Sequence, residues 1–311
     1  ALAMLAGMQL ELFTPLRNGP MSAGEMAAAL DLDQVKLPPL LYALVSAELL
    51  TVENGRFANT AEADHFLVKG QPAYMGGMHE LFSIVWGAMW HTAETIRSGK
   101  PQAKEDFAAM SEDDLRSFMR GLHPRALAQG RGLGNFFDLT KFRNLIDVAG
   151  GSGGLAIGAC EAYAGLRGTV VDLPNTVPIA RGFVEEAGMA DRIDVQACDL
   201  TSGPPQGSYD LAVLSSILQV LSAEQCRAVL KHVGQVLEPG GAIHILGFVL
   251  DDSRLAPPQS LGQNMYFINA YDDGQSYTEQ EHKDWLAEAG FVGFAREIMP
   301  DGRSAVTARK A

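Results

Sequence analysis

Three aspartates stand at the ends of successive apolar segments in the second half of the chain. Asp147 lies in "NLIDV", Asp172 ends "TVVD", and Asp199 follows "VQAC". A carboxylate at the end of a parallel strand can accept hydrogen bonds from both hydroxyl groups of a ribose, and one on the next strand can accept from an adenine amino group. A helix cap would explain any one of these aspartates. Three in register are harder to explain in that way and favour a nucleoside-binding site.

A glycine-rich turn, "AGGSGG" at residues 149–154, follows Asp147. Such a turn is a weak signal alone, because tight strand-to-helix turns need glycine for conformational reasons. It does not satisfy G-x-G-x-x-G from Ala149 onward, and the chain has no G-x-x-x-x-G-K-[ST] sequence. Nothing therefore indicates phosphate binding. A cofactor held by ribose, adenine and carboxylate contacts points instead to S-adenosylmethionine (SAM).

Composition disfavours several classes of function. The 311 residues, 47% of them hydrophobic, are typical of a globular protein with two domains. A net charge of −13 disfavours a nucleic-acid partner, and no apolar run is long enough to predict a membrane span. The three cysteines are too widely spaced for a metal site or a disulfide framework, which favours the reducing cytoplasm. We therefore expect a small-molecule partner.

The pattern from about residue 140 predicts the element order that would position the aspartates. Short apolar runs alternate there with segments of helical period. Buried strands that alternate with helices are typical of a parallel, doubly wound sheet, a Rossmann-like α/β fold. Ligands in such sheets bind beyond the carboxyl ends of the strands. The three aspartates lie where a cofactor is expected.

The first part of the chain, residues 1–105, predicts a separate α-helical domain. Ser22 and Glu25 have the spacing of a capping box, and Asn54-Gly55 is typical of a hairpin turn. Helix, helix and hairpin in this order resemble a winged helix, which often binds DNA. Because residues 38–50 contain no Lys or Arg, we expect this winged-helix-like domain to mediate dimerisation instead. Residues 106–311 are then the cofactor-binding domain.

Five short motifs follow one another along the second part of the chain: "DVAGGSGG", "VVDLP", "ACDL", "LEPGGAIHI" and "LAEAGF". In this order they resemble the motifs of the class I SAM-dependent methyltransferases. The subgroup they are similar to is the plant-type small-molecule O-methyltransferases, together with the acetylserotonin methyltransferases. The winged-helix-like first part also resembles that subgroup's dimerisation domain, so the likeness covers nearly the whole chain and implies a homodimer.

The resemblance also implies which residues contact the cofactor. Leu173 and Leu200 are expected to flank the adenosine, and Ala149 replaces a glycine that is usual in the first motif. The full set of expected cofactor contacts is Asp147, Ala149, Gly150, Gly151, Asp172, Leu173, Asp199, Leu200 and Ser215.

The sequence departs from this family where the chemistry is done. Most of the subgroup has a histidine that deprotonates the acceptor hydroxyl and a glutamate that orients it. Here "LQVLSAE" aligns Gln219 with the histidine, and Gly247 with the glutamate. Because general-base catalysis is worth roughly 10²–10⁴-fold, the double loss predicts an acceptor that needs no deprotonation. A thioether sulfur is the favoured atom, as in the bacterial S-methyltransferase branch that acts on 4-methylthio-2-hydroxybutyrate, on the route to dimethylsulfoniopropionate.

Two alternatives remain open from the residues alone. One is an O-methyltransferase of a hydroxylated or phenolic compound, with His123 or another group as its base. The other is a SAM-binding protein that transfers no methyl group. Whether the enzyme is an S-methyltransferase or an O-methyltransferase, Arg120 could hold a carboxylate of the acceptor. The residues expected to line the acceptor site are Met119, Arg120, His123, Tyr266, Asn269 and Tyr271.

Overall fold

The protein divides into two compact units in a computed structural model that describes residues 2–71, 73–75, 78–299 and 302–311. The units are Ala1–Trp90 and His91–Ala311, so this division lies before the boundary predicted at residue 105. Within the described ranges, no helix is both long and apolar enough to cross a membrane.

The first unit is helical with a small antiparallel sheet of order β1-β3-β2. The predicted capping box is confirmed: the Ser22 hydroxyl accepts the Glu25 N–H at 3.2 Å, and the Glu25 carboxylate accepts the Ser22 N–H at 2.7 Å. The predicted hairpin is also present, with positive φ at Asn54 and Gly55. The elements are α1 Leu2–Gln9, β1 Met21–Ser22, α2 Ala23–Leu30, α3 Leu37–Ser46, β2 Leu50–Glu53, β3 Arg56–Asn59, α4 Ala61–Leu67 and α5 His79–Met89.

The second unit is built on a seven-stranded sheet of order β6-β5-β4-β7-β8-β10-β9. Strands β4 to β8 pair in parallel, which confirms the predicted doubly wound sheet. The strands are β4 Asn144–Val148, β5 Arg167–Asp172, β6 Ile193–Ala197, β7 Tyr209–Ser215, β8 Leu237–Gly247, β9 Phe291–Ile298 and β10 Ser304–Lys310. The helices are α6 Thr92–Ser98, α7 Glu112–Gly132, α8 Gly154–Ala162, α9 Val177–Glu186, α10 Ala223–Val236, α11 Pro258–Ala270 and α12 Glu279–Glu288.

The last strand makes the sheet mixed rather than wholly parallel. β10 runs antiparallel to both β8 and β9, because a short connection after β9 returns the chain beside β8. The strand order reverses between β4 and β7, and ligands bind at such a switch point, beyond the carboxyl ends of the strands. The ends of β4, β5 and β7 therefore define the candidate site.

Strand β8 carries a buried histidine, His244, whose protonation is unfavourable in the folded state. His244 lies on β8 and its ring packs 3.9 Å from the ring centroid of Phe137. Its Nδ1 atom is enclosed and has no hydrogen-bond partner among the described residues. Burial lowers the pKa of His244 to about 4, from 6.5. The native state therefore resists protonation of this ring.

We expect a His244→Phe variant to lose part of the acid sensitivity of the fold. In the wild type, stability is lost as pH falls from about 6.5, where the unfolded chain takes up a proton, towards about 4. The full difference is about 3 kcal/mol. Urea unfolding of both proteins from pH 7.5 to 4 measures it, since other titrating groups cancel in the difference. Parallel stability curves for the two proteins would contradict the assignment.

Candidate cofactor and acceptor site

The glycine-rich loop between β4 and α8 is shaped by contacts that exclude side chains. A Cβ atom at Gly150 would lie 2.7 Å from Cγ of Asp147, and one at Gly151 would lie 3.0 Å from Sδ of Met119. Gly151 has a φ of +57°, and Ala149 has a φ of +53°. The left-handed conformation costs a non-glycine residue about 1–2 kcal/mol, and such residues cluster at functional sites.

Asp147 lies beneath this loop. Its carboxylate is 1% exposed and accepts the N–H of Ala156, in the first turn of α8, at 3.2 Å. Burial raises the pKa of Asp147 to about 7. The described contact of this carboxylate is thus with the helix that follows the loop, and the cofactor contact expected for Asp147 stays a prediction.

Asp172, at the end of β5, joins two parts of the candidate cofactor site. One carboxylate oxygen accepts the N–H of Gly151 at 2.7 Å, and the other accepts the N–H of Leu173 at 2.7 Å. Burial raises the pKa of Asp172. The Thr176 side chain also hydrogen-bonds to this carboxylate. Because a carboxylate offers about four lone-pair positions, capacity remains for a further donor such as a ribose hydroxyl.

Asp199, which follows β6, makes its hydrogen bonds within its own turn, unlike Asp172. Asp199 is exposed and caps its own turn, accepting hydrogen bonds from Thr201 and from the hydroxyl of Ser202 at 2.7 Å. Leu200 beside it is buried, and its carbonyl lies 2.8 Å from Nδ1 of His232. The sequence allowed a helix cap at this position, whereas the structure has the carboxylate capping a turn. The adenine contact of Asp199 stays a prediction.

Ser215, the last residue of β7, contacts the long helix α7. Nε2 of Gln129 lies 3.1 Å from the Ser215 hydroxyl, and the amide oxygen of Gln129 lies 3.4 Å from Nη1 of Arg303. These contacts place Ser215 at the rim formed by the strand ends, where the sequence predicted a cofactor contact.

Helix α7 packs so closely on α8 that it places its side chains against the glycine-rich loop. Cβ atoms at Gly130 or Gly158 would overlap the carbonyl oxygens of Leu155 and Leu127, respectively. Glycine at both positions therefore permits the approach. The close approach of the two helices places Met119 over the loop, with its sulfur atom near Gly151.

His123, also on α7, contacts the loop through Ser152. Nδ1 of His123 lies 2.9 Å from the Ser152 hydroxyl, and the ring stacks on Phe183 with centroids 4.2 Å apart. Burial lowers the pKa of His123. Arg120 is exposed, and its guanidinium lies 5.8 Å from the centroid of the same Phe183 ring. The described contacts of both residues are with α9 and the loop.

We expect a His123→Phe variant to bind S-adenosylhomocysteine (SAH) about 2- to 10-fold more weakly, because one net hydrogen bond to the loop is lost while the stacking ring is kept. The shape of its pH–rate profile should not change. Calorimetric titration and a pH–rate series measure the two effects. Loss of a pH limb with unchanged SAH affinity would instead assign His123 the role of base.

Two tyrosines expected to face the acceptor converge on a carboxylate that the sequence did not single out. The hydroxyls of Tyr266 and Tyr271 both donate to Glu105, the latter at 3.1 Å. Burial, and then the Glu105 carboxylate, raise the pKa of both tyrosines. Glu105 lies in an irregular segment with no spacing signal, and only the fold brings it to these residues.

Asn269 links two helices of the same unit. Its amide oxygen accepts the hydroxyl of Thr95 at 2.6 Å, and its amide nitrogen donates to Thr92 at 2.9 Å and to the Met265 carbonyl at 2.6 Å. The side chain is fully buried. Asn269 thus ties α6 to α11, and its expected contact with the acceptor stays a prediction.

An aromatic chain runs from α7 towards the tyrosines. The ring of Phe107 lies 5.3 Å from that of Phe118 and 6.5 Å from that of Tyr271. Asn175, just beyond Asp172, donates to the Phe107 carbonyl at 2.7 Å. The segment around Phe107 is therefore held at the carboxyl ends of the strands, beside the cofactor residues.

Gln219 completes this rim from the side of β7. It lies in a short 3-10 helix, Leu218–Val220, and is 7% exposed. The thiol of Cys226 donates to the Leu218 carbonyl at 3.2 Å. A Cβ at Gly274 would lie 2.5 Å from the Gln219 carbonyl oxygen and 2.8 Å from Cβ of Tyr271. Gln219 and Tyr271 are therefore neighbours across Gly274.

The two positions that depart from the family pattern face each other. A Cβ at Gly247 would lie 3.3 Å from Oε1 of Gln219. Neither residue has a titratable group. The place expected for a histidine and its orienting glutamate is thus occupied by an amide packed over a bare backbone.

Comparisons with known proteins agree with this architecture. A family model for the O-methyltransferase domain matches residues 93–292, and one for the O-methyltransferase dimerisation domain matches residues 2–69. The chain is 32% identical to 3-hydroxy-5-methyl-1-naphthoate 3-O-methyltransferase of Streptomyces sahachiroi, over 99% of this chain and 91% of that protein. It is 31% identical to acetylserotonin O-methyltransferase of Mus musculus, over 93% and 79%.

A solved structure of a similar protein contains bound SAM. Human N-acetylserotonin methyltransferase in complex with SAM matches with a TM-score of 0.82 and 26% identity, over 100% of this chain and 93% of that one. The side-chain-free cradle at Gly150 and Gly151 and the remaining hydrogen-bond capacity of the Asp172 carboxylate fit SAM. The chain belongs to the O-methyltransferase family and is a SAM-dependent methyltransferase with an N-terminal dimerisation domain.

Proposed function

We propose that this enzyme methylates an oxygen atom of a small hydroxylated aromatic compound that binds as its conjugate base. The observation that carries the proposal is Gln219, buried at the site rim over Gly247 with no titratable group on either residue. An acceptor that has already lost its proton to solvent needs no base from the protein. Acidic phenols and enols ionise in this way near neutral pH.

Bound SAM supplies an electrophilic methyl group on a positively charged sulfur. The acceptor oxygen forms the new bond to the methyl carbon with one of its lone pairs, and the electron pair of the broken carbon–sulfur bond stays on sulfur. The protein's task is then to orient the acceptor and exclude water. Positioning of this kind can contribute about 7–11 kcal/mol to lowering the barrier.

The aromatic chain of Phe118, Phe107 and Tyr271 supports a flat acceptor, since aromatic pairs gain from stacked and edge-to-face contacts. Two relatives that are over 30% identical are named for O-methylation of a hydroxynaphthoate and of acetylserotonin. Both names support an oxygen acceptor over a sulfur acceptor.

A thioether acceptor is the second candidate, because a sulfur lone pair also needs no base and the same Gln219–Gly247 pair would serve it. The tyrosine hydroxyls weigh against the anionic thioether expected from the sequence. Both donate their hydrogen bonds to Glu105, so neither is available to bind the carboxylate of such an acceptor. Methyl-labelled SAM and a matched panel of phenols, enols and thioethers separate the two. We expect label in the oxygen acceptors, and faster labelling of 4-methylthio-2-hydroxybutyrate would overturn the proposal.

The N-terminal unit is proposed to form a homodimer. Its family model is a dimerisation domain, and large apolar side chains on it are exposed, Val35 by 83% and Tyr42 by 54%. Light scattering of the eluted protein tests this, with a mass of two chains expected and a mass of one chain contrary to it.

A further inference from the structure

A small cavity lies behind Gln219, on the side of Gly247. It is lined by Gln219, Gly247, Tyr277 and His282 among others, and its volume is about 10 Å³. That is about the space that one water molecule needs. The missing side chain at Gly247 leaves this space open.

His282 lines this cavity and carries a hydrogen-bond acceptor. The residue is 3% exposed, and Nδ1 lies 2.8 Å from the carbonyl oxygen of Thr278, one turn earlier. A carbonyl can only accept, so Nδ1 carries the hydrogen. Burial lowers the pKa of His282, which keeps the ring neutral. Nε2 therefore carries a lone pair, and no described residue donates to it.

The amide of Gln219 has a matching orientation. Its oxygen, Oε1, is the atom that lies 3.3 Å from the Cβ position of Gly247, on the cavity side. Across the described part of the chain, its side chain has no hydrogen-bond partner. A water molecule in the cavity can donate one hydrogen to Nε2 of His282 and the other to Oε1 of Gln219. The amide N–H₂ group then points away from the cavity.

We infer that His282 is a positioning residue: through one water molecule it fixes the Gln219 amide so that N–H, rather than C=O, faces the acceptor. This rests on the proposed function and adds to it that the acceptor oxygen reaches Gln219. An N–H donor at that point selects an oxygen anion such as a phenolate or enolate. The same donor stabilises a bound thioether only slightly, because a thioether sulfur is a weak hydrogen-bond acceptor.

The link between the two residues is tested by ¹⁵N-histidine NMR of the SAH-loaded enzyme. We expect His282 in the Nδ1–H tautomer, with an Nε2 shift typical of an accepted hydrogen bond that moves in Gln219→Leu. His232 is the matched control: its Nδ1 lies 2.8 Å from the Leu200 carbonyl, and it does not line the cavity, so its shifts should stay. An Nε2 shift of His282 that is unchanged in Gln219→Leu would overturn the inference.

A second measurement, the ionisation of bound p-nitrophenol, follows the amide orientation directly. We expect the SAH complex to raise the ionisation constant of the bound phenol by about tenfold or more, as one hydrogen bond to a charged group would. The effect should be lost in His282→Phe and recovered in His282→Gln, whose amide oxygen can accept from the same water. An undiminished effect in His282→Phe would overturn the role of His282 while leaving the proposed function standing. Failure of the wild type to bind p-nitrophenol, or binding only of the neutral form, would contradict the proposed function, and the NMR measurement would still decide the link.

Discussion

An Asp172→Ala variant is expected to bind SAM and SAH about a hundredfold more weakly than the wild type. Each hydrogen bond from a ribose hydroxyl to the carboxylate is a bond to a charged group, worth about 1.5–3 kcal/mol. One strong bond or two weaker ones give about 3 kcal/mol, and each 1.4 kcal/mol is a factor of ten in affinity. The variant also loses the acceptor for the Gly151 N–H, which holds the glycine-rich loop in place. Both effects act in the same direction.

Calorimetric titration with SAH measures the loss without any acceptor. Asp194→Ala is the matched control, because Asp194 is an exposed aspartate on the neighbouring strand β6. We expect its affinity to equal that of the wild type. Thermal unfolding of the two variants without ligand separates lost binding from lost folding. If folded Asp172→Ala bound SAH within threefold of the wild type, the ribose would have to be held elsewhere.

Replacing Gln219 by leucine is expected to lower kcat/KM for a phenolic acceptor by about 10- to 100-fold. In the proposed complex the amide N–H donates to an oxygen anion, and such a bond is worth about 1.5–3 kcal/mol. Methyl transfer consumes the negative charge, so this bond is stronger in the bound acceptor than in the transition state. The loss should therefore appear as a higher KM, with kcat unchanged or somewhat raised.

The same variant should bind SAH as tightly as the wild type, since Gln219 contributes no described contact to the glycine-rich loop or to Asp172. Steady-state kinetics above and below the pKa of the acceptor, together with SAH titration, distinguish the two effects. A loss confined to kcat would mean that Gln219 acts on the transition state, contrary to the present account.

The strand ends and the turn around the expected cofactor site were predictable because they depend on local patterns. The strand end at Asp172 and the glycine-rich turn are set by short-range sequence and by the rule that parallel sheets bind ligands at their carboxyl edge. Ser22 with Glu25 and the Asn54-Gly55 turn were predictable for the same reason. The antiparallel β10 was not, because its pairing with β8 depends on a long-range register.

The acceptor half resisted prediction because its partners are far apart in the sequence. Glu105 meets Tyr266 across 161 positions, and it lies in a segment without periodicity. His282 has the position of an ordinary core residue on α12, and its relation to Gln219 exists only through the cavity at Gly247. Asn269 was expected to face an acceptor, but its described bonds are those of a residue that ties two helices together.

The central claim is that the acceptor ionises without a base from the protein. The most direct test is the pH dependence of kcat/KM for a series of ring-substituted phenols of graded acidity. We predict that the alkaline rise of each profile moves with the pKa of the phenol in use, and does so equally in wild type and His123→Phe. A rise at one fixed pH for every phenol would reveal a titrating protein group and contradict the account.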